Sequence, residues 1–299
     1  MKILYKQLFL FFLLIKTVCF CGVATGQKTL RFLLVGDVIG KAGQNALTHT
    51  LTKLRKTYNI DAVIVNGENA MENGLGISAE NVNFFKQHEV LAITSGNHVW
   101  ENKDVYNILQ KGDYLLRPAN YSNTCIGKGY GIFSVNGHTV AIINLMGRVF
   151  FNDALDCPFK TAQQLLHTLQ SKTNIILVDF HAEATYEKAA LGSFLEGEVS
   201  VVYGTHTHIQ TADEQILPGG TGFITDIGCC GSLNSIIGFE KSGSLAKFLY
   251  HHKAGKFEVA TKKPYLLCGA LVDIDTETGK TIHIERIRIV VDTPEKKSP

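Results

Sequence analysis

Two histidines separated by one residue follow a short apolar run near residue 200. The segment GTHTH at 204–208 comes directly after residues 199–203, whose composition is typical of a buried strand. If the backbone stays extended there, His206 and His208 point to the same side. Neutral imidazole is the commonest side-chain ligand of transition metals. This spacing alone is weak evidence for a metal, but four other strand-like runs also end in potential ligands.

Those runs end in carboxylates, amides and two further imidazoles. In open α/β sheets functional groups collect beyond the carboxyl ends of the strands, so we expect these residues to converge. Each has a structural alternative when taken alone, such as a turn cap or a satisfied core histidine. Together, their oxygen and nitrogen donors suit Mn²⁺, Fe or Zn²⁺ better than Ca²⁺ or Mg²⁺. The residues at the five strand ends are Asp37, Glu68, Asn69, Asn97, His98, His181, His206 and His208.

The elements that must position these residues follow from hydrophobic periodicity. The first third predicts β-α-β-α-β: strands at 30–35, 61–65 and 90–94, and helices at 44–58 and from the N-cap Ser78 to about residue 88. This order implies a parallel sheet flanked by helices.

The rest of the chain mixes antiparallel hairpins with β-α units. Asn136-Gly137 is a strong hairpin signal between predicted strands. We therefore predict an α/β protein in which two sheets pack together with helices outside, in one domain over 28–292. The further predicted elements are strands at 132–135, 139–145, 174–179, 199–203, 222–225, 265–273 and 281–291, and helices at 159–169 and 186–195.

Composition indicates the class of protein and the cellular compartment in which it folds. The 299 residues are 45% hydrophobic, enough for a substantial core, and the net charge of +2 gives no support for a nucleic-acid partner. Seven cysteines without C-x-x-C pairs favour a reducing, cytoplasmic compartment. Residues 1–27 resemble a signal peptide, which would mean export, or reflect a start codon assigned too far upstream. Residues 293–299 are predicted to be a mobile tail.

Six sequence blocks carry a resemblance to a known family. They are GDVIGKAG from Gly36, NGENA from Asn66, SGNH from Ser95, DFHAE from Asp179, GTHTH from Gly204 and TDIG from Thr225. In this order they resemble the calcineurin-like metallophosphoesterases, and more narrowly the YmdB-like 2′,3′-cyclic-nucleotide phosphodiesterases. An apolar Ile39 in place of the usual histidine, and Glu68 in place of the bridging aspartate, mark that branch.

The resemblance implies a two-sheet αββα sandwich and two metal ions, Fe or Mn first and Zn as another choice. Asp37, Glu68, Asn69 and His208 would hold one ion, and Glu68, Asn97, His181 and His206 the other. A hydroxide shared by the ions would attack a cyclic nucleotide in line, and His98 would be the general acid. No membrane or nucleic-acid partner is implied, and a homo-oligomer stays open.

Substrate contacts are less well defined by the sequence. Arg117 and Arg148 are candidates for binding phosphate or stacking on a base, against a structural role for each. After the TDIG block the chain reads Cys229-Cys230-Gly231 where the family would have a Met-Thr-Gly-like continuation. This departure bears on substrate preference and leaves the metal ligands untouched; packing is the simpler role for the two thiols.

Three other interpretations fit parts of the sequence. The glycine-rich turn at 36–43 could bind a dinucleotide, but its spacing is G-x-x-x-G-x-x-G and it leaves the histidines unexplained. A non-catalytic scaffold would be expected to have lost ligands, and none is missing. The same fold could also act on another phosphoester, which a pocket built from loops leaves open.

Overall fold

The computed structural model describes residues 27–112, 114–250 and 258–292. Of the predicted N-terminal extension 1–27 only the last residue lies within them, and the predicted tail 293–299 lies outside the described residues. No helix in the described ranges is both long enough and apolar enough to cross a bilayer.

The described elements mix β-α units with consecutive strands, and a 3₁₀ turn covers Asn97–Trp100. The strands are β1 (Thr29–Val35), β2 (Asp37–Val38), β3 (Ala62–Asn66), β4 (Ala92–Thr94), β5 (Tyr130–Val135), β6 (His138–Met146), β7 (Ile176–His181), β8 (Val201–Thr205), β9 (Gln215–Ile216), β10 (Gly222–Ile224), β11 (Cys229–Ser232), β12 (Tyr265–Asp275) and β13 (Thr281–Val291). The helices are α1 (Gly40–Tyr58), α2 (Ala79–Gln87), α3 (Asp104–Lys111), α4 (Pro158–Leu169), α5 (Thr185–Phe194) and α6 (Lys241–Tyr250).

The strands form two sheets. The first has the order β2-β11-β12-β1-β3-β4, with β13 also paired to β12, and the second has the order β5-β6-β7-β8-β10-β9. In the first sheet β1, β3 and β4 are parallel, and in the second β6, β7, β8 and β10 are parallel. The carboxyl ends of these strands carry the predicted site residues.

The core lies in three layers. Leu34 and Ile64 of the first sheet share one buried cluster with Ile142 and Val201 of the second, so the inner faces of the sheets pack on each other. A second cluster joins the outer face of the first sheet to α1, α2 and α3, and a third joins the outer face of the second sheet to α4 and α5. Strands covered on both faces read as continuous apolar runs, as in β1. The predicted two-sheet sandwich flanked by helices is confirmed.

A local signal explains where α2 begins. Ser78 is the N-cap of α2, and its side chain and that of Asn81 form a reciprocal capping box. The sequence-based prediction missed β11, because a Cys-Cys-Gly-Ser segment shows neither alternation nor β-branched residues. It also missed α3, which has eight residues, and α6, of which only Ser244 is buried.

The glycine-rich turn at 36–43 serves packing. A Cβ on Gly36 would lie 1.8 Å from the carbonyl oxygen of Gly228, and one on Gly43 would lie 2.5 Å from that of Cys230. Glycine is therefore required where this turn runs against the segment that leads into β11. This contact accounts for the glycines without a dinucleotide.

Candidate metal centre

Strand ends from both sheets meet at one end of the sandwich. The first sheet contributes Asp37 on β2, the pair after β3 and the 3₁₀ turn after β4; the second contributes the end of β7 and the loop after β8. The structure brings together all seven residues that were predicted as metal ligands: Asp37, Glu68, Asn69, Asn97, His181, His206 and His208.

Three acceptor atoms surround the Nε2 atom of His181. The carboxylate Oε1 of Glu68 lies 3.0 Å away, the Nδ1 of His206 3.1 Å away and the amide Oδ1 of Asn97 3.2 Å away. Glu68, His181 and His206 each offer a ligand atom to this cluster, all within 4.8 Å of one another. The four residues are the set that the resemblance assigned to one ion.

The buried carboxylate of Glu68 favours a positive charge next to it. Burial by itself would raise the pKa of Glu68, but His181 lowers it to about 2. Burial would likewise lower the pKa of His181, but Glu68 raises it to about 9. Burial and the neighbouring His181 lower the pKa of His206 to about 3. A proton on His181 thus balances the carboxylate at the point where the donor atoms converge.

Hydrogen-bond acceptors behind each imidazole fix which nitrogen faces inward. The Nδ1 of His181 lies 2.9 Å from the hydroxyl of Thr205, which in turn donates to Asp179 at 2.7 Å. The Nε2 of His206 lies 3.0 Å from the carboxylate of Glu183. These contacts hold each imidazole by its outer nitrogen and turn the inner nitrogen toward the cluster, where it can become a ligand once a metal takes the place of the proton.

His208, on the other side of the site, is also held by a hydrogen bond from its outer nitrogen. Its Nδ1 donates to the carbonyl oxygen of Ile237 at 2.8 Å, and its Nε2 lies 3.3 Å from the Oδ1 of Asn69. The Nδ2 of Asn69 donates to the carbonyl of Gly74, which turns its oxygen toward His208. Asp37 belongs to the same group, because His208 acts electrostatically on its carboxyl.

The backbone after β8 differs from the expected extended conformation. His206 has φ 98° and His208 has φ 64°, in the left-handed region. The expectation that both imidazoles point the same way was therefore wrong. The backbone N–H of His206 donates to Asp37 at 3.1 Å, and this tie to the first sheet turns the loop. As a result His206 faces His181 whereas His208 faces Asn69.

Two observations show that these residues fit metal ions. The Oδ1 atom of Asp37 is buried and has no hydrogen-bond partner among the described residues. Burial raises the pKa of this carboxyl, because the charged form loses its hydration there. A Cβ on Gly96 would lie 2.2 Å from the Nε2 of His181 and 2.3 Å from the Oε2 of Glu68. The chain thus keeps space beside the converging donors, and mixed oxygen and imidazole donors suit Mn²⁺, Fe or Zn²⁺.

His98 lies at the rim of the cluster. Its backbone N–H donates to the Oε2 of Glu68 at 3.2 Å, which places the residue against the proposed bridging carboxylate. Its side chain is 27% exposed, and Nδ1 lies 3.6 Å from the carboxylate of Glu101. An imidazole anchored at the cluster and open to solvent is accessible to a substrate bound there.

The two arginines proposed for substrate binding occupy different environments. Arg117 is buried, and its guanidinium donates to backbone carbonyls, among them those of Pro118 at 2.8 Å and Ile126 at 3.1 Å. These bonds favour its structural alternative. Arg148 is exposed in the loop after β6, and its backbone N–H donates to Glu187 at 2.9 Å.

Sequence reasoning did not assign the residues that support the ligands. Lys188 of α5 and Asp226 form a buried ion pair at 2.6 Å, and the same carboxylate accepts the hydroxyl of Thr207 at 2.8 Å. The only available signals were the positions of Glu183 and Asp226 within the DFHAE and TDIG blocks. Cys229 and Cys230 are buried on β11, beside β2, so packing accounts for them.

Comparisons with known proteins identify the family of this chain. The sequence model of the family described as "YmdB-like protein" matches residues 33–287. A 2′,3′-cyclic-nucleotide 2′-phosphodiesterase of Bacillus subtilis (strain 168) is 40% identical over 260 residues, which are 87% of this chain and 97% of the relative. A putative phosphatase/phosphodiesterase of Mycoplasma pneumoniae is 38% identical over 275 residues, or 90% of this chain and 96% of the relative.

Solved structures show the same architecture. A novel phosphatase from Mycoplasma pneumoniae superposes with a TM-score of 0.82 at 38% identity, covering 89% of this chain and 95% of that one. A hypothetical protein from Thermus thermophilus gives a TM-score of 0.80 at 35% identity, covering 88% of this chain and 100% of that one.

Proposed function

The chain belongs to the YmdB-like family, and we propose that it is a two-metal phosphodiesterase that hydrolyses 2′,3′-cyclic nucleotides. The observation that carries the proposal is the convergence of Glu68, Asn97 and His206 on the Nε2 of His181, with the outer nitrogens of the imidazoles engaged elsewhere. The name of the Bacillus relative supports the cyclic-nucleotide substrate.

Two sets of residues would hold the ions. Asp37, Glu68, Asn69 and His208 would bind one, and Glu68, Asn97, His181 and His206 the other, so that Glu68 is shared. When bound, Fe or Mn supplies Lewis acidity, which neutralises charge on the phosphoryl oxygens and lowers the pKa of water so that nucleophilic hydroxide is available near neutral pH.

The chain's own residues supply orientation and a proton. His98 would protonate the departing ribose oxygen; the hydrogen bond from its backbone N–H to Glu68 and the exposure of its ring to solvent support this role. The acceptors behind His181, His206 and His208 orient the inner nitrogens toward the cluster, so the ligand set is organised before substrate arrives. Arg148, exposed in the neighbouring loop, is the remaining candidate for a phosphate contact.

The compartment proposed is the cytoplasm. Five cysteines in the described part of the chain are free thiols: Cys125, Cys157, Cys229, Cys230 and Cys268. Free thiols, three of them buried, favour a reducing environment. N-terminal sequencing of the mature protein would show a start near residue 28 if residues 1–27 are removed on export.

The test combines metal analysis with a substrate panel. Purified protein should hold more than one transition-metal ion per chain and hydrolyse 2′,3′-cAMP in preference to 3′,5′-cAMP and to an aryl phosphodiester. Glu68→Gln should lose the bound metal and the activity, whereas Glu72→Gln, an exposed carboxylate four residues later, should keep both. Less than one ion per chain, with no activity after Mn²⁺ or Fe²⁺ is added, would contradict the proposal.

The same panel separates the alternatives. A scaffold would bind metal and show no turnover with any phosphoester, although all seven candidate ligands and His98 are present. A phosphatase of the same fold would prefer a phosphomonoester, so a phosphomonoester is added to the three substrates of the panel.

A further inference from the structure

An exposed aromatic ring stands beside the metal centre in a constrained backbone conformation. Phe150 lies in the loop after β6, and 82% of it is accessible to solvent. Its φ is 68°, which is a genuine outlier for a bulky side chain. Such conformations persist only where surrounding contacts impose them, and they cluster at binding and catalytic sites.

The contacts that impose this conformation come from the second sheet and α5. The backbone N–H of Gly147 donates to the carbonyl of His181 at 2.9 Å. The carboxylate of Glu187 accepts the backbone N–H of Arg148 at 2.9 Å and that of Val149 at 3.2 Å. The loop is therefore attached to a proposed metal ligand at one end and to a buried carboxylate along its length.

The next residue in the chain touches the centre itself. The ring of Phe151 lies 4.8 Å from that of His206, centroid to centroid, at an interplanar angle of 55°. Consecutive Cα atoms are about 3.8 Å apart, so Phe150 stands one residue from a side chain in contact with a proposed ligand. The exposed ring of Phe150 is thus the chain neighbour of a ring that packs on a proposed metal ligand.

We propose that Phe150 and Phe151 form a stacking platform for the nucleobase of the substrate, with Phe150 as the principal contact. This inference rests on the proposed function, since a phosphate held by the metals places the ribose and base of its nucleotide over the adjoining surface. Aromatic side chains bind bases through their faces with little sequence preference. The platform therefore selects nucleotides over base-free phosphodiesters and discriminates weakly among bases.

The experiment compares a five-membered cyclic phosphate that carries a ribose and a base with one that has neither. In Phe150→Ala, kcat/KM for 2′,3′-cAMP should fall about 5- to 150-fold, the loss expected when one stacking contact is removed. The same constant for glycerol 1,2-cyclic phosphate, which has no base, should stay at the parent value. Alanine keeps the backbone strain at this position, so the comparison isolates the ring.

Two further variants complete the test. Phe150→Trp should retain kcat/KM for 2′,3′-cAMP, and Phe248→Ala, which removes an exposed phenylalanine from α6, should behave as the parent. Equal losses on both substrates, or no loss on the nucleotide, would contradict the stacking role of Phe150. Activity of the parent protein on the two substrates would still support the proposed phosphodiesterase function. If the parent protein hydrolyses neither compound, the proposed function itself fails.

Discussion

The proposed metal ligands depend on residues that do not touch the metal. Glu183 accepts a hydrogen bond from His206, and Thr205 links His181 to Asp179. Such partners orient the imidazole and raise its basicity toward a metal, and their loss typically weakens metal affinity by about 10- to 100-fold. Glu183 is 48% exposed, so it can be replaced without disturbing the core.

Replacing Glu183 should weaken metal binding. We expect Glu183→Ala to bind Mn²⁺ about 10- to 100-fold less tightly in a chelator competition, because His206 loses the acceptor that fixes its inner nitrogen. Glu183→Gln retains an acceptor oxygen and should lie between the alanine variant and the parent. Glu80→Ala, an exposed carboxylate on α2, is the control. Unchanged affinity in Glu183→Ala would show that the contact with His206 is incidental.

Replacing His98 should slow turnover according to the leaving group. We expect His98→Ala to keep its metals but to lose about 10²- to 10⁴-fold in kcat on 2′,3′-cAMP, because an alkoxide needs a proton to depart. Bis(p-nitrophenyl) phosphate releases a stable phenolate, so its hydrolysis should fall far less. Equal losses on the two substrates would assign His98 to binding phosphate.

At the level of elements, α5 holds the loop that follows β8. The stem of Lys188 passes so close to Gly204 that a Cβ there would lie 2.9 Å from its Cδ, which explains the glycine before the two histidines. Lys188 then pairs with Asp226, and Asp226 accepts both the N–H and the hydroxyl of Thr207. One buried carboxylate thus joins α5 to the residue between His206 and His208.

Breaking this ion pair should cost stability. Lys188→Met leaves Asp226 buried without its counter-charge, which typically costs about 3–5 kcal/mol in the free energy of unfolding. Denaturant unfolding at constant m-value would measure the loss. The double variant Lys188→Met/Asp226→Asn should be more stable than Lys188→Met, since no unpaired charge remains, and Lys172→Met is the exposed control. If the double variant is the less stable of the two, the unpaired charge is not the cause.

The sequence predicted the strand ends well and the loops poorly. Asp37, Glu68 and His181 follow apolar runs whose lengths and composition are typical of buried strands, so their convergence could be expected before the structure was known. The left-handed φ of His206 could not, because it depends on the hydrogen bond between its N–H and Asp37, a residue distant in the chain. The tether between Glu187 and the Phe150 loop is likewise a tertiary contact without a local signal.

For the whole molecule, the candidate metal centre is built from residues of both sheets. Asp37, Glu68 and Asn97 come from the first sheet and its loops, and His181 and His206 from the second. Ions bound by both groups would add a link between layers that otherwise meet through apolar packing. The family resemblance predicted from six blocks is confirmed by the match over residues 33–287, and with it the αββα architecture.

Removing the metals should therefore lower thermal stability. At Mn²⁺ about 100-fold above its dissociation constant, binding stabilises the folded state by about 2.7 kcal/mol, which corresponds to about 4–5 °C in Tm for a chain of this size. Chelation should reverse the gain, and Glu68→Gln should show none. A Tm of the parent protein that is unaffected by Mn²⁺ and by chelator would contradict a link between the sheets.

The hydrogen bond from His208 to the carbonyl of Ile237 can form only after residue 237 has been synthesised. A ribosome delivers Asp37 and Glu68 long before the loop after β8, because the chain emerges from its N-terminus. A nascent chain that ends before residue 206 carries the carboxylates without two of the imidazoles. Metal loading in the cell is therefore expected only after residue 237 has left the exit tunnel, and products of earlier termination should be unable to acquire the centre.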